Sequence, residues 1–383
     1  MVNIALVSSF YPETNYSRYL FKNIKSDLTN KSFNIYAYGE RKSNDENKDE
    51  YKQVWTKGNL SLFQIAKQIV KDRPNLVHFQ HEINMYGGSI SSIFFPLLVF
   101  FTNIFSKTIV TIHGVPTLSD INNRFISFFR GNSILIKPWM LKIYFQYLFK
   151  SIAFSSTVII VHTNLLKQNL SNSYGINQKK IQVINHGVSI QKKVKKNTKK
   201  KYLLYFGYLS KRKGLDKLID GFYKYLKRNK DNNLKLVLSG GVIEGQEFAY
   251  KEILNYLKKY GIEDKVNCTG FVSAKEIKVL FSDAYAVVIP AEISISASGP
   301  LAQAYGYSKC ILASDIGNFK EEINNKVDGI LVDNNSWEIS IQSIMNRKDL
   351  VNFIEKNASI KAKSRAWDKV STQHIKVYKD VIS

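Results

Sequence analysis

Tyr205-Phe206-Gly207-Tyr208-Leu209-Ser210-Lys211-Arg212-Lys213-Gly214-Leu215 joins a short apolar strand to a helical pattern. Gly207 permits a tight turn and a close backbone approach. Lys213 and Gly214 fall where the next helix begins. A cation beside free backbone amides at a helix N-terminus suits a diphosphate. The spacing is neither a Walker loop nor GxGxxG. The same residues also read as a basic loop closed by a C-cap-type glycine.

Further along, residues 288–306 read VIPAEISISASGPLAQAYG. A buried strand ends at Pro290, a loop of small residues follows, and a helix starts near Gly299-Pro300. Proline is pre-organised for a first helical turn. The amides beside Ser298, Gly299 and Leu301 make a second anion site. Two such helix starts in one domain fit the two phosphates of a nucleotide sugar. Two ordinary strand-to-helix turns would read the same way.

Around these turns runs an α/β series. Residues 202–206, 234–238, 266–268, 286–289 and 310–313 are short apolar runs separated by helical patterns. The first half repeats the scheme with strands at 2–7, 33–38, 76–79, 108–112, 157–161 and 181–184 and helices at 16–28 and 60–70. Such alternation predicts parallel sheets covered on both faces. A chain of 383 residues suits two domains. We divide it into residues 1–191, a Lys-rich linker at 192–201, and residues 202–366, with the tail helix at 367–383 closing the first domain. The expected architecture is α/β, two doubly wound, Rossmann-like domains facing across a cleft at the carboxyl ends of both sheets.

Composition narrows the function. Cys268 and Cys310 match neither a zinc spacing nor a CxxC pair, so both read as reduced residues. Met1-Val2-Asn3-Ile4-Ala5 lacks the basic start of a signal peptide, and the longest apolar run, residues 93–105, is too short to span a bilayer. A cytoplasmic protein is expected. The net charge of +24 favours a polyanionic or phosphorylated partner. Nucleic acid is disfavoured, because no helix-turn-helix, zinc or RNA-recognition signature appears.

The ordered set FGYLSKRKGLDKLIDGF, VNCTGFV, IPAEISISASGPLAQAYGYSKCILASDIGNFKEEI and VDGILV resembles the C-terminal domain of glycosyltransferase family 4, group 1. Upstream, VHFQHEINMYGG, TIHG, VIIVHT and IQVINHGV resemble its N-terminal domain. The tail with Ala366-Trp367-Asp368-Lys369-Val370 resembles its closing helix. The resemblance implies a GT-B fold and retaining transfer from a nucleotide-sugar donor. It assigns Gly207, Tyr208, Arg212 and Lys213 to the donor site, with Lys213 on the diphosphate. It sets phosphate on the turn of Ser298, Gly299, Pro300 and Leu301, and the nucleobase against Phe271 and Val272. His113 of TIHG reaches the donor sugar. Asp328 and Gly329 match a structural turn.

The pattern departs from the family at two places. Tyr208 stands where relatives carry Arg, and Lys211 or Arg212 would supply the charge. Gln303 and Ile295 occupy the positions of the family's paired glutamates. Gln303 still bonds a ribose hydroxyl, and Glu292 substitutes for the missing acid. The expected catalytic set is therefore His113, Lys213 and Glu292.

On the acceptor side we expect Asn15, Tyr16, His81, Glu82 and Gly87. Asn15 stands where relatives have glycine and tolerates a positive φ. His78, His81 and Glu82 spell HxxHE, but two histidines three apart on a strand face opposite ways, which argues against a metal site. No Asp-x-Asp pair exists. Cations and helix N-termini then answer the charge on the leaving diphosphate, with no metal and no cofactor, and domain closure completes the site. The residues around 93–107 and 125–154 mix aromatics with lysine. They read as helices lying on an anionic membrane beside a glycan or lipid-linked acceptor, or equally as buried helices of ordinary amphipathicity. The QHE–GG stretch is reminiscent of mannosyltransferases, so the first donor expectation is GDP-mannose. The rivals are an epimerase or phosphorylase, a non-catalytic subunit, and a polyanion-binding protein.

Overall fold

Runs of aliphatic residues too brief for helices, and apolar on both faces, form parallel strands throughout the chain. The computed structural model describes residues 2–10, 16–28, 33–42, 48–130, 136–191, 202–229, 233–242 and 246–383. Asn15 and the Lys-rich segment 192–201 lie outside the described residues. In chain order the first elements are β1 (Val2–Val7), α1 (Tyr16–Leu28), β2 (Phe33–Glu40), β3 (Lys52–Trp55), α2 (Ser61–Asp72), β4 (Leu76–His81), α3 (Ser89–Phe105) and β5 (Lys107–Ile112). There follow α4 (Asn123–Arg130), α5 (Pro138–Ser155), β6 (Val158–Val161), α6 (Asn164–Tyr174) and β7 (Ile181–Val183). The second series is β8 (Tyr202–Phe206), α7 (Leu215–Arg228), β9 (Lys235–Ser239), α8 (Glu247–Tyr260), β10 (Val266–Gly270), α9 (Ala274–Asp283), β11 (Ala286–Ile289) and α10 (Gly299–Gly306). It ends with β12 (Cys310–Ser314), α11 (Gly317–Glu322), β13 (Ile330–Val332), α12 (Trp337–Asn346), α13 (Lys348–Ser364) and α14 (Trp367–Ile382).

The chain forms two units. One comprises Met1–Ile121, Pro138–Gly187 and Trp367–Ser383; the other comprises Asn122–Lys137 and Val188–Ala366. Thus α4, early in the sequence, groups with the second unit.

The first unit holds a seven-stranded sheet in the order β3-β2-β1-β4-β5-β6-β7, all pairs parallel. Strand order reverses between β1 and β4, the point where doubly wound sheets bind ligands. Its core includes Ile4, Leu6, Ile24 and Ile109, with Trp367 and Tyr378 supplied by α14. The second unit holds six parallel strands in the order β10-β9-β8-β11-β12-β13, again reversing beside its first strand. Leu203 and Tyr205 of β8 enter one core cluster, while Tyr202 and Leu204 enter another on the opposite face. Both units are therefore Rossmann-like, as the alternating runs predict. Two short strands escape the sequence reading: β3, with four residues, and β13, with three. Runs this short carry too little periodicity to register. Among the described residues, no helix is long and apolar enough to cross a membrane.

Candidate active site

In the second unit, three glycine-containing turns interlock at the carboxyl edge of the sheet. Gly207 follows β8 with φ 144°, and its amide donates to the Ser239 carbonyl at 2.9 Å. Gly240 follows β9 with φ 144°, and its amide donates to the Gly270 carbonyl at 3.0 Å. A Cβ on Gly240 would overlap the Gly207 carbonyl. Next to it, the Phe271 ring covers Gly241 so closely that a Cβ there would overlap the ring. Phe271 is 72% exposed and meets the half-exposed Tyr208 edge-on, with ring centroids 6.0 Å apart. These residues form an aromatic ledge. The Gly240-Gly241 pair was not read from sequence, although a glycine pair directly after a strand is a signal of close backbone approach.

The basic turn is a short 3-10 segment, Lys211–Lys213, closed by Gly214 in the left-handed region with φ 60°. Gly214 lies against the Ala291 backbone. The Glu292 amide donates to the Arg212 carbonyl at 2.9 Å, which ties the basic turn to the loop after β11. That loop is pinned again by α11. The buried Asn318 side chain donates to the carbonyls of Ser294 (3.1 Å) and Ser296 (3.3 Å). Ala291 N donates to Ser314 Oγ at 2.9 Å.

At the start of α10, Ser298 Oγ accepts from the Leu301 amide at 3.2 Å. The Leu301 amide, one of those expected to serve an anion, is the one that this cap engages. Gly299 carries the first N–H of the helix, and Pro300 has none. Gln303 lies half-buried on the same helix. Behind α10, the Tyr305 hydroxyl lies 2.9 Å from Asp328 Oδ1 and 3.1 Å from the Glu322 carbonyl. Asp328 pairs with Lys361 (3.1 Å) and Glu322 with Arg365 (3.0 Å). Burial raises the Glu322 carboxyl to about 7, against the opposing pull of Arg365. This buried polar network, unread in the sequence, fixes the helix from the side away from the turn.

Glu292 pairs with Arg124 of α4, so the helix from the first half supplies a cation to this loop. Arg124, Lys211, Asp216, Glu252, Tyr256 and Glu292 help line a cavity of about 260 Å³. Arg124 has no motif around it, and only the fold brings it to Glu292.

In the first unit, four adjacent strands end on histidine. His81 closes β4; His113, His162 and His186 follow β5, β6 and β7. Parallel register sets them side by side. His113 Nδ1 lies 3.0 Å from His162 Nε2, and His113 Nε2 lies 2.9 Å from the Gln80 side-chain amide. Gln80 continues to His78 at 3.1 Å, and His78 Nδ1 to the Tyr378 hydroxyl at 2.7 Å. Tyr16 packs its ring on His113, His162, His186 and Trp367. Burial holds His113 and His78 well below the ordinary histidine value and lowers His162 to about 3. His113, expected to reach the donor sugar, spends both ring nitrogens within its own unit. His81 is buried against Phe95 inside β4 rather than beyond the strand, and its value falls to about 4 through desolvation. His78 and His81 face opposite sides of the strand, towards α14 and α3 respectively. Glu82 is exposed, and Gly87 sits tight against the Gly58 carbonyl.

The Anabaena protein HepE, solved in complex with UDP-glucose, superposes with a TM-score of 0.76 over 99% of this chain and 100% of that one, at 13% identity. The fold is GT-B. Within this GT-B chain, residues 189–365 match the family model described as glycosyl transferases group 1. An uncharacterized glycosyltransferase of Methanocaldococcus jannaschii is 25% identical over 59% of the chain. The O-antigen chain mannosyltransferase RfbU of Salmonella typhimurium is 26% identical over 55%. The aligned segments span 60% and 57% of those two relatives, respectively.

Proposed function

We propose that this protein is a metal-independent, retaining glycosyltransferase of glycosyltransferase family 4. It moves a hexose from a nucleotide sugar to a glycan or lipid-linked acceptor during cell-envelope polysaccharide or glycoconjugate synthesis, in the cytoplasm at the inner face of the membrane. The observation that carries the reading is the hydrogen bond from the Glu292 amide to the Arg212 carbonyl. It couples a basic turn to the loop that leads into the Ser298-capped helix. A diphosphate seated there meets Lys213 and the Gly299 amide, while a base lies on the ledge of Phe271, with Val272 beside it and Tyr208 facing it. Gln303 takes a ribose hydroxyl. Cleaving the sugar–phosphate bond leaves charge on the diphosphate, which Lys213 and Arg212 offset without reorganisation. Glu292, paired with Arg124, stands nearest the reacting sugar. In the first unit, Tyr16, Glu82 and Gly87 are assigned to the acceptor.

The relative RfbU is named a mannosyltransferase, and HepE was solved with UDP-glucose. GDP-mannose is our first donor assignment. A non-catalytic GT-B subunit is the second reading, favoured by Gln303 in place of a carboxylate.

The test is a thermal-shift panel of UDP-, GDP-, ADP- and dTDP-sugars with EDTA, on the wild type and Lys213→Ala, followed by turnover with the stabilising donor. One nucleotide family should raise the Tm of the wild type alone. No shift with any donor overturns the reading. A shift without turnover on any acceptor supports the non-catalytic subunit.

A further inference from the structure

In the part of the first unit formed by residues 83–121 and 138–187, there are six Lys and one acid, Asp120. Within that part lies α3, seventeen residues without a single charge. Its inward side, including Phe95, Leu98 and Val99, is buried in the first unit. Its other side presents Ile90, Ile93, Phe94, Leu97, Phe101 and Phe105 to solvent. The spacing is helical, so these residues form one stripe. Alongside runs α5, whose exposed apolar residues include Trp139, Ile143 and Phe154. The two helices are joined by the Tyr147 hydroxyl, which donates to the Ile93 carbonyl at 3.1 Å, and by the stacked rings of Phe100 and Phe154. Thirteen of the 26 large exposed hydrophobics among the described residues lie on this pair. Neither helix has Asp or Glu; Lys142 and Lys150 lie on α5, and Lys107 follows α3.

We infer that the face formed by α3 and α5 docks on an anionic lipid bilayer, lying in its interface. A contiguous apolar face of this kind marks an interaction surface. Charge complementarity selects the occupant. A second copy would oppose the same lysines with no acid to pair them, because a twofold interface apposes like to like. Nucleic acid offers phosphates but no place for aliphatic side chains. A bilayer with anionic headgroups accepts both, taking the stripe into the acyl boundary and the lysines at the phosphates. Because the inner side of α3 is part of the core, the helix lies along the surface instead of crossing it. The inference supplies the surface for the membrane location proposed above and does not rest on sugar transfer.

Trp139 supplies an internal probe. It is 58% exposed, whereas Trp55, Trp337 and Trp367 are buried. The experiment adds phosphatidylcholine vesicles, with and without phosphatidylglycerol, at low and high salt. It reads tryptophan emission, quenching by brominated lipid, and co-sedimentation. The expected result is a blue shift and quenching on the anionic vesicles, weakened by salt. The variant Phe94→Ser/Phe101→Ser/Phe105→Ser, checked for folding by circular dichroism, should lose at least about tenfold in partitioning. Phe63→Ser, on the exposed face of α2, should leave it unchanged. An unchanged Trp139 spectrum with both vesicles overturns the inference. So does binding that survives the triple variant, or a concentration-dependent dimer that the triple variant dissociates. None of these outcomes depends on a donor nucleotide, so they leave the transferase reading to its own test.

Discussion

His113 Nδ1 lies 3.0 Å from His162 Nε2, so one ring presents a proton and the other a lone pair. The pair can be assigned. His162 Nδ1 faces the Ile184 carbonyl at 2.9 Å and must carry hydrogen. Its Nε2 therefore accepts, His113 is protonated on Nδ1, and His113 Nε2 needs a donor. The Gln80 amide nitrogen, rather than Oε1, then belongs on the His113 side, an exchange of two atoms at unchanged positions. Its oxygen then faces the His78 Nε2 proton, which it shares with the nearer Thr111 Oγ1 at 2.7 Å, and His78 Nδ1 accepts from Tyr378. Ring nitrogen NMR should find His113 and His162 as Nδ1–H tautomers and His78 as Nε2–H. Gln80→Leu, which leaves the buried His113 Nε2 without a partner while His78 Nε2 keeps Thr111 at 2.7 Å, should cost about 2 kcal/mol in denaturant titration.

Glu292 and Arg124 separate chemistry from positioning. Glu292→Gln keeps the size of the side chain but not its charge. It should lower kcat by about 100-fold with little change in Tm. Arg124→Ala should lower it by about tenfold, through a less ordered Glu292. Steady-state kinetics on the donor identified by thermal shift make the comparison. Equal, small effects would remove Glu292 from the reaction.

Phe271 is largely exposed and holds no core together. Phe271→Ala should leave stability within about 0.5 kcal/mol of wild type. It should raise the KM for donor by about tenfold, the loss of one aromatic face under the base. A binding constant unaltered by the substitution would move the base elsewhere.

Gly240 tests the interlocked turns. Ala there meets both a forbidden φ and the Gly207 carbonyl, so Gly240→Ala should destabilise the second unit by about 3 kcal/mol. Chemical denaturation followed through Trp337 reads it. The Gly241→Ala change should instead displace the Phe271 ring and act on donor affinity.

The two units should respond to acid with opposite signs. His162 is held near 3, and His81 and His374 near 4, below the unfolded value of about 6.5. Their stabilisation is complete above about 6.5 and is lost as pH falls towards 4. Glu322 is raised to about 7 from 4.5, so the folded second unit takes its proton first. That group adds stability as pH falls from about 7 to about 4.5. Pulse proteolysis at pH 7.5 and 5.5, with fragments assigned by mass, should show cleavage moving into the first unit on acidification.

The parallel sheets were legible because their strands are apolar on both faces and alternate with helices. So was the capped start of α10, through Ser298 and Pro300. The histidine row was half legible. LVHFQH, TIVTIH, VIIVH and IQVINH each end a strand run on histidine, and parallel register then makes them neighbours. What hid it was treating each motif alone. Arg124 and Asn318 could not be read, since nothing local marks a side chain whose partner lies 168 or 24 residues away.

The first unit takes its last helix from the far end of the chain. Trp367 packs on Tyr16, Tyr19 and Gly187, and Tyr378 completes the polar chain from His78. During synthesis, residues 1–187 therefore emerge lacking one wall, with the ring of Tyr16 and the imidazole of His78 open to water. The second unit is made in the interval and has all its strands before α14 arrives. The half synthesised first must finish folding last, so slow or interrupted translation between residues 188 and 366 would lengthen the time it waits unsealed for a chaperone or a protease.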